Sequence, residues 1–238
     1  MADLDGIDVV ILAGGLGTRI RAVLGDTPKV LAPVAGRPFL DHLIDRLAAA
    51  GAGRVVLSLG HLAGRVLRHL EQRDEPLPVL AVVEPRPMGT GGALRLTLPR
   101  LGGGTVLVMN GDTWVDADLG TFLADHRQAG RPVSLLCVEV PDCARYGRVV
   151  RAPDGGLARF VEKDPDYRGA GLINGGIYLF EPAALALLAG LKGEAPSLER
   201  DFLATLPEGA IHCHVARGAT FIDIGTPESL GEADSVVG

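Results

Sequence analysis

A glycine-rich loop follows the first apolar stretch of the chain and could bind phosphate groups. Residues 7–12 are predicted to form a buried strand, and residues 13–19 continue as Ala-Gly-Gly-Leu-Gly-Thr-Arg. Glycines let backbone N–H groups approach phosphate oxygens, and Arg19 adds a guanidinium for the same anion. The Walker pattern is not met, and Ile20 stands where the dinucleotide fingerprint requires glycine. A P-loop ATPase and a nicotinamide dehydrogenase are therefore disfavoured, while a tight turn without a ligand stays open.

Two aspartates could hold a divalent cation. Asp112 comes directly after the apolar residues 105–109, Asn110 and a glycine, and Asp223 lies between two isoleucines. The carboxyl ends of parallel strands share one edge of a sheet, so Asp112 is expected beside the glycine-rich loop. Two carboxylates together with triphosphate oxygens form a ligand set suited to Mg²⁺. A turn or helix-cap role remains an alternative for Asp112, and a buried cap partner for Asp223.

Lysine is scarce in this chain, so the positions that keep it are informative. Lys29 follows Pro28, which fixes the local backbone and would aim the next side chain. Lys163 adjoins Glu162 at the end of a predicted hairpin strand, where neighbouring side chains point to opposite faces. One of the pair could accept hydrogen bonds from sugar hydroxyls while the other meets a phosphate. A solvated strand end would explain the same two residues.

Asn174 is followed by two glycines inside a predicted strand. Glycine weakens a strand unless a ligand or another backbone comes close, so this position predicts a close approach. His212 and His214 alternate along a later strand without an identifiable third metal ligand. A polar strand face is therefore predicted for the two histidines.

Composition excludes several classes of protein. The net charge of −6 and the lack of basic runs argue against nucleic-acid binding. The apolar runs are shorter than the ~20 residues of a membrane span, and the first residues lack a signal-peptide pattern. Three cysteines without Cys-x-x-Cys spacing suggest neither a disulfide framework nor a zinc site. We expect a cytoplasmic protein with no membrane partner.

The hydrophobic pattern predicts an α/β fold. Apolar β-branched runs alternate with amphipathic stretches in the first half, which is typical of a parallel sheet covered by helices. The predicted strands are residues 7–12, 55–59, 79–83, 105–109 and 133–138, and the predicted helices are 40–47, 62–72, 91–98 and 118–129. A hairpin of residues 147–151 and 157–161, a strand over 172–180 and helices over 182–190 and 197–206 follow. The last helix is predicted to begin with Ser197 as its N-cap and to carry Glu199 in its first turn. One continuous domain over residues 1–238 is the simplest prediction.

Taken together, these motifs resemble the sugar 1-phosphate nucleotidyltransferase family. The resemblance rests on the loop 12–19, Pro28-Lys29, Asn110-Gly111-Asp112, Glu162-Lys163 and residues 223–228, in the family's order. It implies a Rossmann-like mixed, mostly parallel sheet between helices, of the nucleotide-diphospho-sugar transferase type. It also implies transfer of a nucleoside monophosphate from a nucleoside triphosphate to a sugar 1-phosphate, with Mg²⁺ as cofactor.

The resemblance assigns roles by position. The part over residues 1–140 would bind the nucleotide and residues 141–238 the sugar phosphate. The nucleotide residues would be Leu12, Ala13, Gly14, Gly15, Gly89 and Thr90, with Arg19 and Lys29 on its phosphates. The sugar residues would be Asn110, Gly147, Glu162 and Asn174, with Lys163 on the sugar phosphate. Asp112 and Asp223 would hold the metal.

Residues 32–40, 88–93, 171–178 and 221–225 are similar to those of D-glycero-D-manno-heptose 1-phosphate guanylyltransferases. The preferred pair is therefore predicted to be GTP with this heptose phosphate. Guanine presents N–H donors, and Glu84, after the strand 79–83, is a candidate acceptor, although a solvated strand end would also explain it. Alternatives are another base or hexose, or a non-catalytic nucleotide-sugar-binding regulatory subunit. Self-association into a homo-oligomer stays open.

Overall fold

The structure, a computed structural model, describes residues 4–161, 166–167 and 169–237. Its strands are β1 (Asp8–Ala13), β2 (Pro33–Val34), β3 (Arg37–Pro38), β4 (Arg54–Leu59), β5 (Val79–Val83), β6 (Val106–Asn110), β7 (Thr113–Val115), β8 (Val133–Val140), β9 (Arg148–Arg151), β10 (Leu157–Val161), β11 (Gly171–Phe180), β12 (Ile211–Ala216) and β13 (Phe221–Asp223). Its α-helices are α1 (Arg21–Leu24), α2 (Phe39–Ala49), α3 (Ala63–Glu71), α4 (Gly89–Thr97), α5 (Leu119–Ala129), α6 (Pro182–Ala189) and α7 (Pro227–Val237).

The described residues build a mixed, mostly parallel sheet of nine strands. Strands β6, β1, β4 and β5 are neighbours in that order and run parallel. Their residues are almost continuously apolar, as expected for strands covered by helices on both faces. Residues 8–12 of β1 pair with residues 106–110 of β6, so the carboxyl ends of these two strands meet at one edge.

The second half of the sheet turns antiparallel at β11. This long strand pairs with β6 through residues 177–180 and touches β9 at Ile173. On its other side β11 pairs antiparallel with β8, which in turn pairs parallel with β12. The predicted hairpin is present as β9 and β10, and the predicted strand 172–180 as β11.

Helices cover both faces of the sheet. Val9 and Ile11 of β1 belong to one buried cluster, which also takes in the apolar faces of α2, α3, α5 and α7. Val10 points into a second cluster with α4 and α6. The alternation of β1 side chains thus separates two apolar layers. The predicted fold class, a mostly parallel mixed sheet between helices, is confirmed.

Some elements differ from the predictions. The regular helix predicted over residues 197–206 is wrong, since a π-helical turn (Leu198–Phe202) is followed by a 3₁₀ turn (Leu203–Thr205). Ser197 does begin this segment as its N-cap, because its Oγ accepts a hydrogen bond from the backbone N–H of Arg200. Helix α7 and the short pair β7–β13 were not predicted.

Among the helices of residues 4–161, 166–167 and 169–237, none is both long and apolar enough to cross a membrane.

Candidate active site

The glycine-rich loop leaves β1 at the carboxyl edge of the sheet. Gly111 follows β6 on the neighbouring strand, and its backbone N–H donates to the carbonyl of Leu12 at 2.8 Å. A methyl group built on Gly111 would lie 2.9 Å from that carbonyl oxygen. Only glycine fits here without displacing the backbone. Asp112 is thereby held beside the loop, where the strand pattern predicted it.

A pocket of about 330 Å³ opens at this edge. It is bounded by the loop, by the end of β6 and by the start of α4. Its lining includes all the predicted nucleotide residues (Leu12, Ala13, Gly14, Gly15, Glu84, Gly89 and Thr90) together with Lys29, Asn110 and Asp112. The volume lies within the range of small-molecule sites, which begins at roughly 300 Å³. We call this cavity the first pocket.

Glu84 lies against the glycine-rich loop. A methyl group built on Gly14 would come within 2.1 Å of its Oε1, so residue 14 must lack a side chain for the carboxylate to sit there. The other oxygen accepts a hydrogen bond from the backbone N–H of Met88 at 2.9 Å. Burial raises the pKa of Glu84, and the Met88 hydrogen bond partly offsets this. One carboxylate oxygen is therefore fixed by the backbone of Met88, and the other packs against Gly14.

Lys29 lies between the two candidate metal carboxylates. Its Nζ is 2.5 Å from Oδ2 of Asp112 and 3.3 Å from Oδ1 of Asp223. Its side chain is only 11% exposed, whereas the aspartates retain 38% and 29%. The ammonium is thus more sheltered from solvent than either carboxylate.

The short pair β7–β13 brings these distant residues together. Asp223 pairs with Thr113 in antiparallel register, and the backbone N–H of Ile224 donates to the carbonyl of Asp112 at 3.0 Å. The pair therefore brings the carboxylates of Asp112 and Asp223 together around Lys29. Since 194 residues separate Lys29 from Asp223, their contact is a tertiary one.

Arg19 reaches the same cluster from the loop. A methyl group built on Gly225 would lie 2.6 Å from Oδ1 of Asp223, 3.1 Å from Nζ of Lys29 and 3.3 Å from Nη2 of Arg19. Three charged side chains therefore converge on the α-carbon of Gly225. The exposed Arg19 and the sheltered Lys29 supply two cations beside the first pocket.

The residues can be tested for their fit to Mg²⁺. Asp112 and Asp223 already converge on one cation, the Lys29 ammonium, and both present oxygen ligands. Within the described ranges no cluster of three or more His, Cys, Asp or Glu could hold a metal. One or two carboxylates with substrate phosphates and water are nevertheless the usual magnesium ligands. The donor set fits the ion once a nucleotide supplies the remaining oxygens.

A second pocket of about 500 Å³ lies beside the first. Two predicted sugar residues, Gly147 and Asn174, line it together with Tyr146, Phe160, Val161, Ser197, Glu199, Arg200 and Ala204. Thr90 of the first pocket donates a hydrogen bond from its hydroxyl to Glu199 of the second at 3.3 Å. The two pockets are therefore separated by a single layer of side chains.

The predicted close approach in β11 is present. Gly176 has a φ of +71°, and a methyl group there would lie 2.7 Å from Nδ2 of Asn110. A methyl group on Gly175 would lie 3.0 Å from the carbonyl oxygen of Leu136. Asn110 of the first pocket thus packs against Gly176, and Gly175 packs against β8. Glu162 and Lys163 lie outside the described residues.

Glu199 and Tyr178 were not predicted as site residues. The sequence predicts for Glu199 only an acidic position in the first turn of a helix, and Tyr178 lies within a predicted apolar strand. The hydroxyl of Tyr178 donates to Oε1 of Glu199 at 2.9 Å. A buried tyrosine needs a hydrogen-bond partner, so its presence was the one signal available in the sequence.

His212 and His214 do not form part of either pocket. Both rings contact Oδ2 of Asp125, at 2.8 Å and 2.7 Å. The predicted polar strand face therefore lies on α5 and stabilises the packing of β12 against that helix. The cysteines Cys137, Cys143 and Cys213 are buried and free.

Comparison with known proteins gives relatives over almost the whole chain. The family model described as nucleotidyl transferase matches residues 8–237. The mannose-1-phosphate guanylyltransferase of Mycobacterium tuberculosis is 35% identical, over 98% of this chain and 65% of the relative. The D-glycero-alpha-D-manno-heptose 1-phosphate guanylyltransferase of Aneurinibacillus thermoaerophilus is 31% identical, over 95% and 96%. The chain thus spans about two thirds of the first relative and nearly all of the second.

Solved structures of similar proteins share this fold over almost the whole chain. The crystal structure of HddC from Yersinia pseudotuberculosis has a TM-score of 0.85 at 34% identity, covering 96% of this chain and 98% of that chain. The same protein complexed with GMP-PN gives a TM-score of 0.84. The resemblance inferred from the glycine-rich loop, the Pro-Lys pair and the two aspartates is therefore confirmed, and the protein belongs to the nucleotidyl transferase family.

Proposed function

We propose that this protein transfers GMP from GTP to a sugar 1-phosphate, D-glycero-D-manno-heptose 1-phosphate, and releases pyrophosphate. The observation that carries the proposal is the charged cluster of Arg19, Lys29, Asp112 and Asp223 beside the first pocket, with a second pocket next to it. Such an arrangement suits a reaction between two phosphorylated substrates held side by side. The family membership supports the reaction type.

The reaction needs alignment and charge neutralisation more than proton transfer. The phosphate oxygen of a sugar 1-phosphate is already anionic near neutral pH, so its attack on the α-phosphorus of GTP requires no general base. The attacking oxygen forms the new P–O bond as the bond to pyrophosphate breaks. Positioning and preorganised cations then supply the catalysis. The structure offers cations on the side where the triphosphate would lie.

The side chains divide this work. The backbone of the glycine-rich loop holds the phosphates, and Arg19 and Lys29 neutralise the charge that develops on the departing pyrophosphate. Asp112 and Asp223 would hold Mg²⁺, and the ion would screen the repulsion between the two phosphate groups. Lys163, outside the described residues, is assigned to the sugar phosphate on its sequence position. Binding of the metal requires Lys29 to give up its contacts with at least one aspartate.

Glu84 supports guanine as the base. The N1–H and N2 amino groups of guanine both donate, and a carboxylate at the base end of the first pocket accepts from them. The edge of uracil would present its carbonyl oxygens to the same carboxylate, which is unfavourable. A charge-assisted hydrogen bond of this kind contributes about 1.5 to 3 kcal/mol. The relatives named guanylyltransferases and the HddC complex with GMP-PN point the same way.

Two observations support the heptose as substrate: the size of the second pocket and the nearly full-length match to a heptose 1-phosphate enzyme. The pocket is larger than the first, at about 500 Å³ against 330 Å³, and leaves room for the extra side-chain carbon of a heptose. The heptose 1-phosphate enzyme matches over 96% of its own length, whereas the mannose 1-phosphate enzyme matches over 65%. Mannose 1-phosphate, favoured by the higher identity of 35%, is the second candidate substrate.

The test is pyrophosphate release over a matrix of substrates. GTP, ATP, CTP and UTP would each be offered with D-glycero-D-manno-heptose, mannose and glucose 1-phosphates, with Mg²⁺ in excess and with EDTA as the metal-free control. We expect the fastest release from GTP with the heptose phosphate, and none with EDTA. Fastest release from another pair would show a different base or sugar specificity and would still support the reaction type. No release from any pair would leave a nucleotide-sugar-binding regulatory protein as the better hypothesis.

A further inference from the structure

A chain of hydrogen bonds links Asn174 to Glu199 behind the second pocket. Nδ2 of Asn174 donates to the hydroxyl of Tyr178 at 2.8 Å, and that hydroxyl donates to Oε1 of Glu199 at 2.9 Å. Tyr178 is completely buried, whereas Asn174 and Glu199 both line the pocket. The two pocket residues are thus connected through a side chain that no substrate can reach.

The carboxylate of Glu199 is held firmly by hydroxyl groups. Its Oε2 accepts from Ser197 at 2.9 Å and from Thr90 at 3.3 Å. Thr90 is itself fixed, because its oxygen accepts from the backbone N–H of Leu198 at 2.8 Å. A carboxylate has no proton to donate, so all three hydroxyls must point their protons toward Glu199.

This arrangement gives the hydrogen-bond chain a single direction. Burial, and then the charge of Glu199, raise the pKa of Tyr178 well above its usual range, so the phenol keeps its proton. That proton is used on Glu199, and the tyrosine oxygen can therefore only accept from Asn174. The amide must turn its nitrogen toward Tyr178.

The other end of the amide agrees with this orientation. Oδ1 of Asn174 accepts a hydrogen bond from the backbone N–H of Gly176 at 2.8 Å. A flipped amide would place its nitrogen against that N–H and its oxygen against the tyrosine lone pairs. In the observed orientation one N–H of Nδ2 and one lone pair of Oδ1 stay available to a ligand.

We propose that Glu199 is a positioning residue for the sugar phosphate, which it serves by fixing the orientation of the Asn174 amide through the hydroxyl of Tyr178. The inference rests on the proposed function, since it assigns the second pocket to the sugar. It differs from a direct contact between Glu199 and the sugar, because the effect passes through a buried residue. It also explains why a tyrosine stands in an otherwise apolar stretch of β11.

The experiment compares Glu199→Gln, Tyr178→Phe and the double variant with the wild type. Glu199→Gln keeps the shape but offers an amide N–H to Tyr178, which permits the chain to reverse. Tyr178→Phe removes the link. The control is Glu208→Gln, an exposed glutamate outside both pockets. Pyrophosphate release would be followed with GTP and whichever of the heptose and mannose 1-phosphates reacts faster, and thermal unfolding would check folding.

Each single variant is expected to raise KM for the sugar phosphate about tenfold, the effect of one hydrogen bond, with KM for GTP within about twofold. The double variant should be no worse than the poorer single variant, because both act on one chain. If the KM increase of the double variant equals the product of the two single increases, Glu199 acts on the sugar independently of Tyr178, which overturns the inference. If the wild type is active and both single variants keep its KM for the sugar phosphate, the inference on Glu199 is overturned and the proposed function stands. If the wild type is inactive, both are overturned. Unchanged GTP kinetics show that a variant is folded.

Discussion

Nζ of Lys29 lies 2.5 Å from Oδ2 of Asp112, at the position where a cation between Asp112 and Asp223 would sit. Asp112 and Lys29 both line the first pocket, and the same ammonium also contacts Asp223 at 3.3 Å. Without the Lys29 ammonium, the negative charges of Asp112 and Asp223 would repel each other. The lysine thus neutralises part of the charge of the two proposed metal ligands.

Asp112→Asn and Asp223→Asn are each expected to lower turnover by about 10² to 10³, the scale of losing one preorganised electrostatic element. Both should raise the Mg²⁺ concentration that gives half-maximal rate. Folding should be retained, because the side chains are partly exposed and each asparagine can still accept from Lys29. Titration of the rate with MgCl₂ measures both effects.

The control for the aspartates is Asp5→Asn, an exposed carboxylate away from both pockets. It should leave the rate and the magnesium dependence unchanged. Near-normal turnover in Asp112→Asn or Asp223→Asn at ordinary magnesium would remove that residue from the metal site.

The three lysines should separate by kinetic signature. Lys29→Ala should lower kcat and raise KM for GTP, since it removes a cation from the first pocket and leaves two aspartates without their partner. Lys163→Ala should chiefly raise KM for the sugar phosphate. Lys192→Ala, exposed and outside both pockets, is the matched control. Initial rates with each substrate varied in turn give the comparison, and identical signatures for Lys29 and Lys163 would contradict the division of labour.

The positions of the glycine-rich loop and Asp112 could be inferred from the sequence because each follows a strongly apolar strand. Local pattern identifies such strands, and parallel pairing brings their ends together. The contact of Lys29 with Asp223 could not be inferred in this way. It depends on β7 and β13, which are three residues each and too short to give a periodic signal.

The segment after Ser197 illustrates a second limit. The N-cap was predicted correctly from residue type, since a serine hydroxyl can satisfy a free backbone N–H locally. The π-helical turn that follows places Glu199 toward Tyr178 and Thr90, and these partners lie 21 and 109 residues away in sequence. Tertiary contacts decided the geometry, so the second pocket's polar network was visible only in the structure.

Stability should decrease as the solution is acidified below about pH 6.5, and His126 should contribute to this. His126 is buried between Ser134 and Glu181, at 2.7 Å and 2.9 Å. Burial lowers its pKa below the ordinary value of 6.5, an effect that Glu181 only partly opposes. The unfolded chain therefore takes up a proton first as pH falls, which favours unfolding. Urea unfolding between pH 7.5 and 5.5 measures the slope.

His126→Gln is expected to flatten that pH dependence and to cost about 1 to 3 kcal/mol at pH 7.5, because buried partners lose a hydrogen bond. The exposed His61→Gln serves as the control and should keep the wild-type slope. An unchanged slope in His126→Gln would show that other groups set the acid sensitivity.

The choice of base can be tested through Gly14, because this residue packs against the carboxylate of Glu84 and has no side chain of its own to contact the base. Gly14→Ala would bring a methyl group to 2.1 Å from Oε1 of Glu84 and must push the carboxylate aside, whereas Gly15→Ala meets no atom within 4 Å. If Glu84 selects guanine, Gly14→Ala should reduce the ratio of kcat/KM for GTP over ATP by about tenfold or more, the value of one charge-assisted hydrogen bond. Glu84→Gln should reduce this ratio similarly, because one acceptor oxygen becomes a donor.

The control is Gly15→Ala, which should keep the ratio even if it slows the reaction with both nucleotides, since the loop backbone binds phosphates that both nucleotides share. Equal ratios in all three variants and the wild type would assign guanine selection to residues other than Glu84.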